Sequence, residues 1–270
     1  MNRMHAIWTV ALGCALAVFA PVAHAVTRTL VVDDATGTVL CRDGDCAARV
    51  SPCSTFKIPL ALMAADAGII TGPHAPRLPY LPHYSAVMPA HQADTDPTSW
   101  MLNSVVWYSQ QLTPRLGEAA FARYVVLFAY GNQDVSGDAG QHNGLTQAWL
   151  GSSLLISPDE QVAFLRKVLG HQLPLKPQAG VLLEQIVPVY PAAGGWTVHG
   201  KSGSGFRRDA AENTAPPRKL GWFVGWAEKD GRRLVFARLI LDETEIAAWG
   251  GVRARESLLQ DLSRLAAGKQ

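Results

Sequence analysis

The sequence predicts an α/β (α+β) fold: one antiparallel sheet built from strands at both ends of the chain, flanked by helices, with an all-helical lobe inserted between them. Two observations carry this reading. Segments with strand-like alternation occur near the start (Thr27 to Asp33, Thr38 to Cys41) and again near the end (Thr197 to Lys201, Leu220 to Glu228, Arg232 to Leu241). Between them, from Trp100 to Gly170, apolar residues recur at helical spacing.

In chain order, residues 1–25 have the make-up of an export leader, with Arg3 near the start, an apolar run from Ile7 to Ala20, and Ala23-His24-Ala25 as a cleavage signature. A competing lipid-attachment reading of Ala11-Leu12-Gly13-Cys14 has a short apolar run and no Leu at its first position. The mature chain, residues 26–270, then reads as a single domain whose helical lobe covers about 71–190. It opens with a hairpin around Ala35-Thr36-Gly37. A helix starting at Ser54 should end near Gly68, and residues 71–99 lack periodicity and read as a long surface excursion. Helices are expected over Asn103 to Gln110, Leu116 to Phe128, Ser157 to Leu169 and Gln178 to Ile186. The third has the clearest start, because Ser157-Pro158-Asp159-Glu160 offers a capping serine, a proline at the first helical position and a glutamate three residues on. Lys229-Asp230-Gly231 joins the last two strands, and Gly250 to Leu265 closes the chain as a helix.

Composition narrows the function. With 48% apolar and 17% charged residues, the 270-residue chain suits one compact domain or two closely packed subdomains. A formal net charge of +2, with basic residues scattered apart from pairs such as Arg207-Arg208 and Arg232-Arg233, argues against a nucleic-acid partner. No segment after the leader reaches the ~20 apolar residues of a membrane span. The eight histidines form no metal-binding motif, so no metal is expected. Removal of the leader leaves Cys41, Cys46 and Cys53, of which Cys41 and Cys46 flank a polar turn and are the expected disulfide pair.

The chemistry centres on Pro52-Cys53-Ser54-Thr55-Phe56-Lys57, the one Ser-x-x-Lys in the chain. A spacing of three in a helix puts Ser54 and Lys57 on one face. A serine hydroxyl needs a base to become a nucleophile, and a lysine serves as one only when burial lowers its pKa. The helix N-terminus would aim backbone N–H groups at an oxyanion beside Ser54. A capping serine is the bland alternative for this motif alone.

Four further stretches follow in order: Ser104-Val105-Val106, Tyr130-Gly131-Asn132, Trp149-Leu150 and Lys201-Ser202-Gly203. With Ser54-Thr55-Phe56-Lys57 they resemble the signature set of the class D (oxacillinase-type) serine β-lactamases over the whole mature chain, and so imply a β-lactamase/transpeptidase-like fold. The related S-x-x-K, S-D-N and K-T-G set marks class A enzymes and penicillin-binding proteins, whereas this chain has Ser-Val-Val in the second place. The resemblance implies that Lys57 is carbamylated by dissolved CO2 and becomes the general base for acylation and deacylation at Ser54, with no other cofactor. Trp149 would steady that carbamate, with Val106 and Leu150 in its support. Ser104 would relay a proton to the leaving nitrogen, with Lys201 beside it. Ser202, Gly203 and the backbone N–H of Ser204 would bind substrate, and Arg253, with Arg255 as competitor, would meet its carboxylate. Ser202 stands where many members have threonine, and Tyr130-Gly131-Asn132 reads as architectural.

The expected activity is therefore hydrolysis of a small-molecule β-lactam in the periplasm by a monomer or homodimer, conferring resistance. A β-lactam sensor or penicillin-binding protein that stays acylated is the alternative from another functional class, and a secreted protein with accidental motifs would not react with penicillin at all.

Overall fold

The computed structural model describes residues 25–206 and 218–268. The leader apart from Ala25, with Cys14 in it, and residues 207–217, with the Arg207-Arg208 pair, lie outside the described residues.

Among the described residues six strands form one sheet: β1 (Ala25–Asp33), β2 (Val39–Asp43), β3 (Val189–Ala192), β4 (Trp196–Phe206), β5 (Lys219–Lys229) and β6 (Arg232–Asp242). Their order is β2-β1-β6-β5-β4-β3 with each neighbouring pair antiparallel, so the N-terminal hairpin docks on the last strand and the two chain ends share one sheet. The β5–β6 hairpin turns on Asp230 and Gly231, with φ of 50° and 75°. Both central residues are left-handed, the geometry that matches strand twist in a two-residue turn.

Period-two alternation sorts side chains between two cores. Val31, Phe223 and Phe236 face Leu258 and Leu262 of α8 (Gly250–Ala266), which lies across β4, β5 and β6. Leu30, Val32, Trp222, Val224 and Val235 face the other way, toward α6 (Pro158–Leu169) and the helical lobe. Covered on both faces, β5 is buried from Leu220 to Ala227.

The lobe is assembled around α1 (Lys57–Asp66), buried from Lys57 to Ala64 and packed on α3 (Val106–Leu116) and α7 (Pro177–Ile186). The helices α2 (Pro97–Asn103), α4 (Glu118–Leu127) and α5 (Gly144–Gln147) complete it. α6 starts as its sequence indicates: Ser157 Oγ accepts from the Glu160 N–H, and Glu160 reaches back to the Ser157 N–H.

Three expectations change. The helix expected over Asn103 to Gln110 is interrupted at Ser104, which ends α2 in a left-handed conformation with φ 62° before α3 begins at Val106. β4 runs five residues past Lys201, where serine and glycine have weak strand preference and the ladder to β5 supplies the order. The expected Cys41–Cys46 disulfide is replaced by free thiols. Cys41 packs in the α8 core, whereas Cys46 packs in the opposite core with its Sγ directed at the Thr29 and Asp43 carbonyls. The edge strand β3 carries little alternation and contains Pro191, which hides it from sequence reading.

α8 approaches the sheet through paired glycines. A Cβ on Gly221 would stand 1.8 Å from the carbonyl carbon of Gly250. Gly221→Ala is expected to destabilise the protein by about 2–3 kcal/mol through overpacking. Gly72→Ala, where a Cβ meets nothing within 4 Å, should change the urea midpoint by the equivalent of no more than about 0.5 kcal/mol. Equal midpoints for the two variants would refute this account of the α8 seat.

Candidate active site

The segment before α1 cannot begin as a regular helix, because Cys53 sits at φ 49°, a region costly for a residue with a Cβ. Cys53–Phe56 forms a 3-10 turn instead, closed by Thr55, whose N–H and Oγ1 both donate to the Pro52 carbonyl at 3.1 and 2.7 Å. Gln161 Nε2 on α6 donates to Thr55 Oγ1 at 3.0 Å and ties the turn to the sheet side. The turn runs directly into α1, so Ser54 and Lys57 share a face as their spacing indicates. Lys57 Nζ donates to Ser54 Oγ at 3.1 Å. Ser54 is 8% exposed and Lys57 1%. The nucleophile is reachable while its neighbour is sealed.

β4 closes the other side. A Cβ on Gly203 would lie 3.0–3.1 Å from the Pro52 carbonyl and the Ser54 and Thr55 nitrogens. The glycine is thus required by the nucleophile turn itself, in addition to the substrate access expected of it. Lys201 Nζ donates to Ser104 Oγ at 3.0 Å and to the Ser202 carbonyl at 2.9 Å. Left-handed Ser104 is what turns its hydroxyl off the end of α2 toward that lysine.

Both lysines are almost completely buried, and among the described residues neither pairs with a carboxylate. Desolvation, then the charge of Lys201, holds the Lys57 amine well below the usual lysine range. Desolvation, then the charge of Arg255, brings Lys201 down to about 7. A hydroxyl thus sits beside an amine that burial biases toward its neutral form, and a second hydroxyl beside a lysine that can exchange its proton near neutral pH. This pair of settings suits acyl transfer: one side accepts the nucleophile's proton, the other donates to a leaving group.

Around them, Trp149 is stacked on Phe56 at 5.3 Å and 18°, and Val105 is buried in the same core. Leu150 packs against that core, and Val106 is half-buried. Tyr130 meets Phe56 edge-on at 5.5 Å, while Gly131, at φ 58°, lets the chain pass against Leu155, where a Cβ would be 2.0 Å from the carbonyl oxygen. Asn132 completes the strut through its N–H and Oδ1 to Leu155 and its Nδ2 to the Ser153 carbonyl.

Ser204 lies on β4 with Oγ accepting from the Gly251 N–H at 3.0 Å, and Ser202 is half-buried one turn of the pleat away. Among the described residues no hydrogen bond or ion pair joins Arg253 to Ser54, Lys57, Ser104 or Lys201; it binds the fully buried Asp242 carboxylate. Arg255, stacked 5.2 Å over Tyr190, is the arginine whose field reaches Lys201.

Two residues at the site escape sequence reading. Buried His91 donates through Nε2 to the Asn103 carbonyl at 3.0 Å, next to Ser104, and its own carbonyl accepts from Trp107 Nε1. Ser51 Oγ donates to the Trp149 carbonyl and accepts from the Gly151 N–H, each at 2.8 Å. His91 lies in an aperiodic stretch that offered no signal. Ser51 stands three residues before Ser54, and that proximity to the motif is the one signal it carries in the sequence.

Among the described residues no cluster of His, Cys, Asp and Glu could hold a metal ion, and no helix is long and apolar enough to cross a membrane.

This arrangement has clear relatives. Residues 27–263 match the penicillin binding protein transpeptidase domain family. The chain is 49% identical over 242 residues to β-lactamase OXA-9 of Klebsiella pneumoniae, covering 89% of this chain and 88% of that protein. It is 36% identical over 221 residues to β-lactamase OXA-1 of Escherichia coli, covering 82% and 77%. The crystal structure of OXA-427, a class D β-lactamase, superposes with a TM-score of 0.80 at 40% identity, over 88% of this chain and 99% of that one. With the six-stranded antiparallel sheet, the inserted lobe and the Ser-x-x-Lys turn facing Lys201, these relationships show that the chain belongs to the class D serine β-lactamases, a branch of the penicillin-binding transpeptidase fold.

Proposed function

We propose that this protein hydrolyses the β-lactam ring of penicillin-type antibiotics through an acyl-enzyme on Ser54, and so confers resistance to them. The observation that carries the reading is the buried Lys57 amine 3.1 Å from Ser54 Oγ. The names of the hydrolysing relatives favour turnover over a sensor that remains acylated.

The surroundings of Lys57 fit a carbamate. Only an uncharged amine attacks CO2, and burial beside cationic Lys201 keeps this one largely uncharged. The same positive neighbour favours an anion once formed, and Trp149 offers an indole donor on the ring that stacks against Phe56. Carbon dioxide bound at Lys57 supplies an anionic general base for both acylation and deacylation. Val105, Val106 and Leu150 keep the amine in apolar surroundings.

The rest belongs to the chain's own residues. Ser54 Oγ loses its proton on the Lys57 side and attacks the lactam carbonyl. The ring C–N bond breaks, and the nitrogen receives a proton from Ser104, resupplied by Lys201 across their 3.0 Å contact. The N–H groups of Ser54 and Ser204 serve the oxyanion, and water then releases the acyl group. Ser202 hydrogen-bonds the substrate carboxylate; Arg255, whose charge acts on Lys201, is the cation nearer it, and Arg253 could reach it only by leaving Asp242, so the one that binds it is the one whose alanine variant raises KM. Residues 1–25 act as an export leader, and residues 26–270 form the mature periplasmic domain.

Ser54→Ala should show no covalent adduct by intact-protein mass, and Lys57→Ala should lose deacylation and most acylation; wild-type turnover in either refutes its role. Trp149→Ala should acylate yet hydrolyse slowly, with partial recovery on adding bicarbonate. Purified protein that consumes one equivalent of penicillin and stays acylated would establish the sensor alternative.

The buried lysines also set a pH dependence. Their folded pKa values lie below the ordinary 10.5, that of Lys201 at about 7, so the unfolded chain binds more protons between those limits. The lysines' contribution to the stability of the CO2-free protein should therefore rise from about pH 7 upward, and the thiols of Cys41, Cys46 and Cys53, pushed up by burial, oppose it as pH passes the ordinary thiol range. Urea midpoints at pH 7 and 9 test this, and Lys201→Met should flatten the slope; an unchanged slope in that variant would contradict the burial argument.

A further inference from the structure

We propose that Ser51 is a positioning residue that acts through Trp149 to set how firmly Lys57 holds carbon dioxide. This rests on the reading of Lys57 as the carbamylated base. Ser51 is 4% exposed, and a hydroxyl has one proton to donate and two lone pairs to accept with. Its proton goes to the Trp149 carbonyl at 2.8 Å, and its oxygen receives the Gly151 N–H at 2.8 Å and, more weakly, the Cys53 N–H at 3.4 Å and the Cys53 thiol at 3.7 Å. One side chain thus joins the turn that carries Trp149 to the turn that carries Ser54.

The anchorage extends on both sides. The Ser51 carbonyl accepts from Trp222 Nε1 on β5 at 2.9 Å, so the residue is fixed to the centre of the sheet. Its neighbour Val50 exchanges both backbone hydrogen bonds with Ile156, at 3.0 and 2.8 Å, closing the loop that contains Trp149. Gly151, at φ 79°, reverses the chain so that its N–H returns to the same hydroxyl that holds the Trp149 carbonyl. The indole itself is gripped by Phe56 at 5.3 Å and by Phe121 at 6.2 Å. Trp149 therefore has two independent supports: its ring is held by aromatic packing and its backbone by Ser51.

Removing the hydroxyl leaves the aromatic grip intact and frees the backbone of Trp149 to shift. A tryptophan misplaced by a fraction of an ångström still fills its cavity but presents its N–H poorly to an anion, because hydrogen bonds depend steeply on angle. The expected effect is on carbamate occupancy rather than on the fold.

The test titrates carbon-13-labelled bicarbonate into the mature protein and follows the lysine carbamate signal by NMR. Ser51→Ala is expected to need about tenfold more bicarbonate than wild type for half-occupancy, the scale of one lost buried hydrogen bond, and to regain turnover at saturating bicarbonate. Because Ser51 acts through Trp149, adding Ser51→Ala to Trp149→Phe should change the half-occupancy little further. Near-ultraviolet circular dichroism checks the fold, and Ser51→Cys, similar in volume but a weak hydrogen-bonding group, repeats the measurement if the alanine variant does not fold. A wild-type bicarbonate response in folded Ser51→Ala, or effects that multiply in the double variant, would overturn the role of Ser51 alone. Absence of a carbamate signal in the wild type would overturn the carbamate reading and this inference with it.

Discussion

Two lysine side chains withdrawn from water in one cleft, without a carboxylate among the described residues to balance either, are the constraint on which the rest of this structure depends. Transferring an ammonium out of water is costly, and a buried lysine meets that cost by giving up its proton. The fold exploits the result in two ways. Lys57 is held well below the usual lysine range because it is sealed and faces a second cation. Lys201 stays near neutrality, poised to hold or release a proton beside Ser104. Under the proposed mechanism this difference in environment would divide acid from base between two residues of one type, as paired groups in other proteins do.

Maintaining that arrangement demands close approach of backbones. Gly203 brings β4 against the nucleophile turn, and Gly251, whose Cβ would stand 2.6 Å from the Gly203 carbonyl oxygen, brings α8 against the same strand. Cys53 and Ser104 occupy left-handed conformations on either side of the cleft. Strain of this kind persists only where surrounding contacts over-determine it. Here the supports are visible: Thr55 and Gln161 below Ser54, and His91 and Trp107 behind the Ser104 turn. The aromatic group of Phe56, Phe121, Tyr130 and Trp149 fills the space between them.

The transpeptidase fold is shared by enzymes that release their acyl group and by proteins that keep it, so fold alone does not assign turnover. What distinguishes this chain is the environment of its first lysine. Ser104 is followed by two valines, one fully buried, where related families place polar groups. The apolar wall and the indole stacked on Phe56 are the surroundings that the proposed carbamate at Lys57 would need.

Much of this was legible in the chain itself. The order and spacing of Ser54, Lys57, Ser104, Trp149 and Lys201 identified the family, and alternation against helical period placed a sheet at the ends and a lobe between them, because those periodicities are local properties of the sequence. The capping box at Ser157 and the Asp230–Gly231 hairpin were readable for the same reason. Tertiary structure decided what depends on neighbours distant in sequence. Cys41 points from β2 into the α8 core, whereas Cys46, in the turn after β2, folds into the opposite core, and so an expected disulfide is separated. The Asp242 carboxylate, 11 residues away, claimed Arg253. Ser51 meets Trp149 across 98 residues, and the left-handed turn at Ser104 broke a helix that periodicity alone would have continued. Motif and period fix which groups a chain brings to a site; burial, hydrogen-bond partners and pKa exist only once remote segments exclude water together.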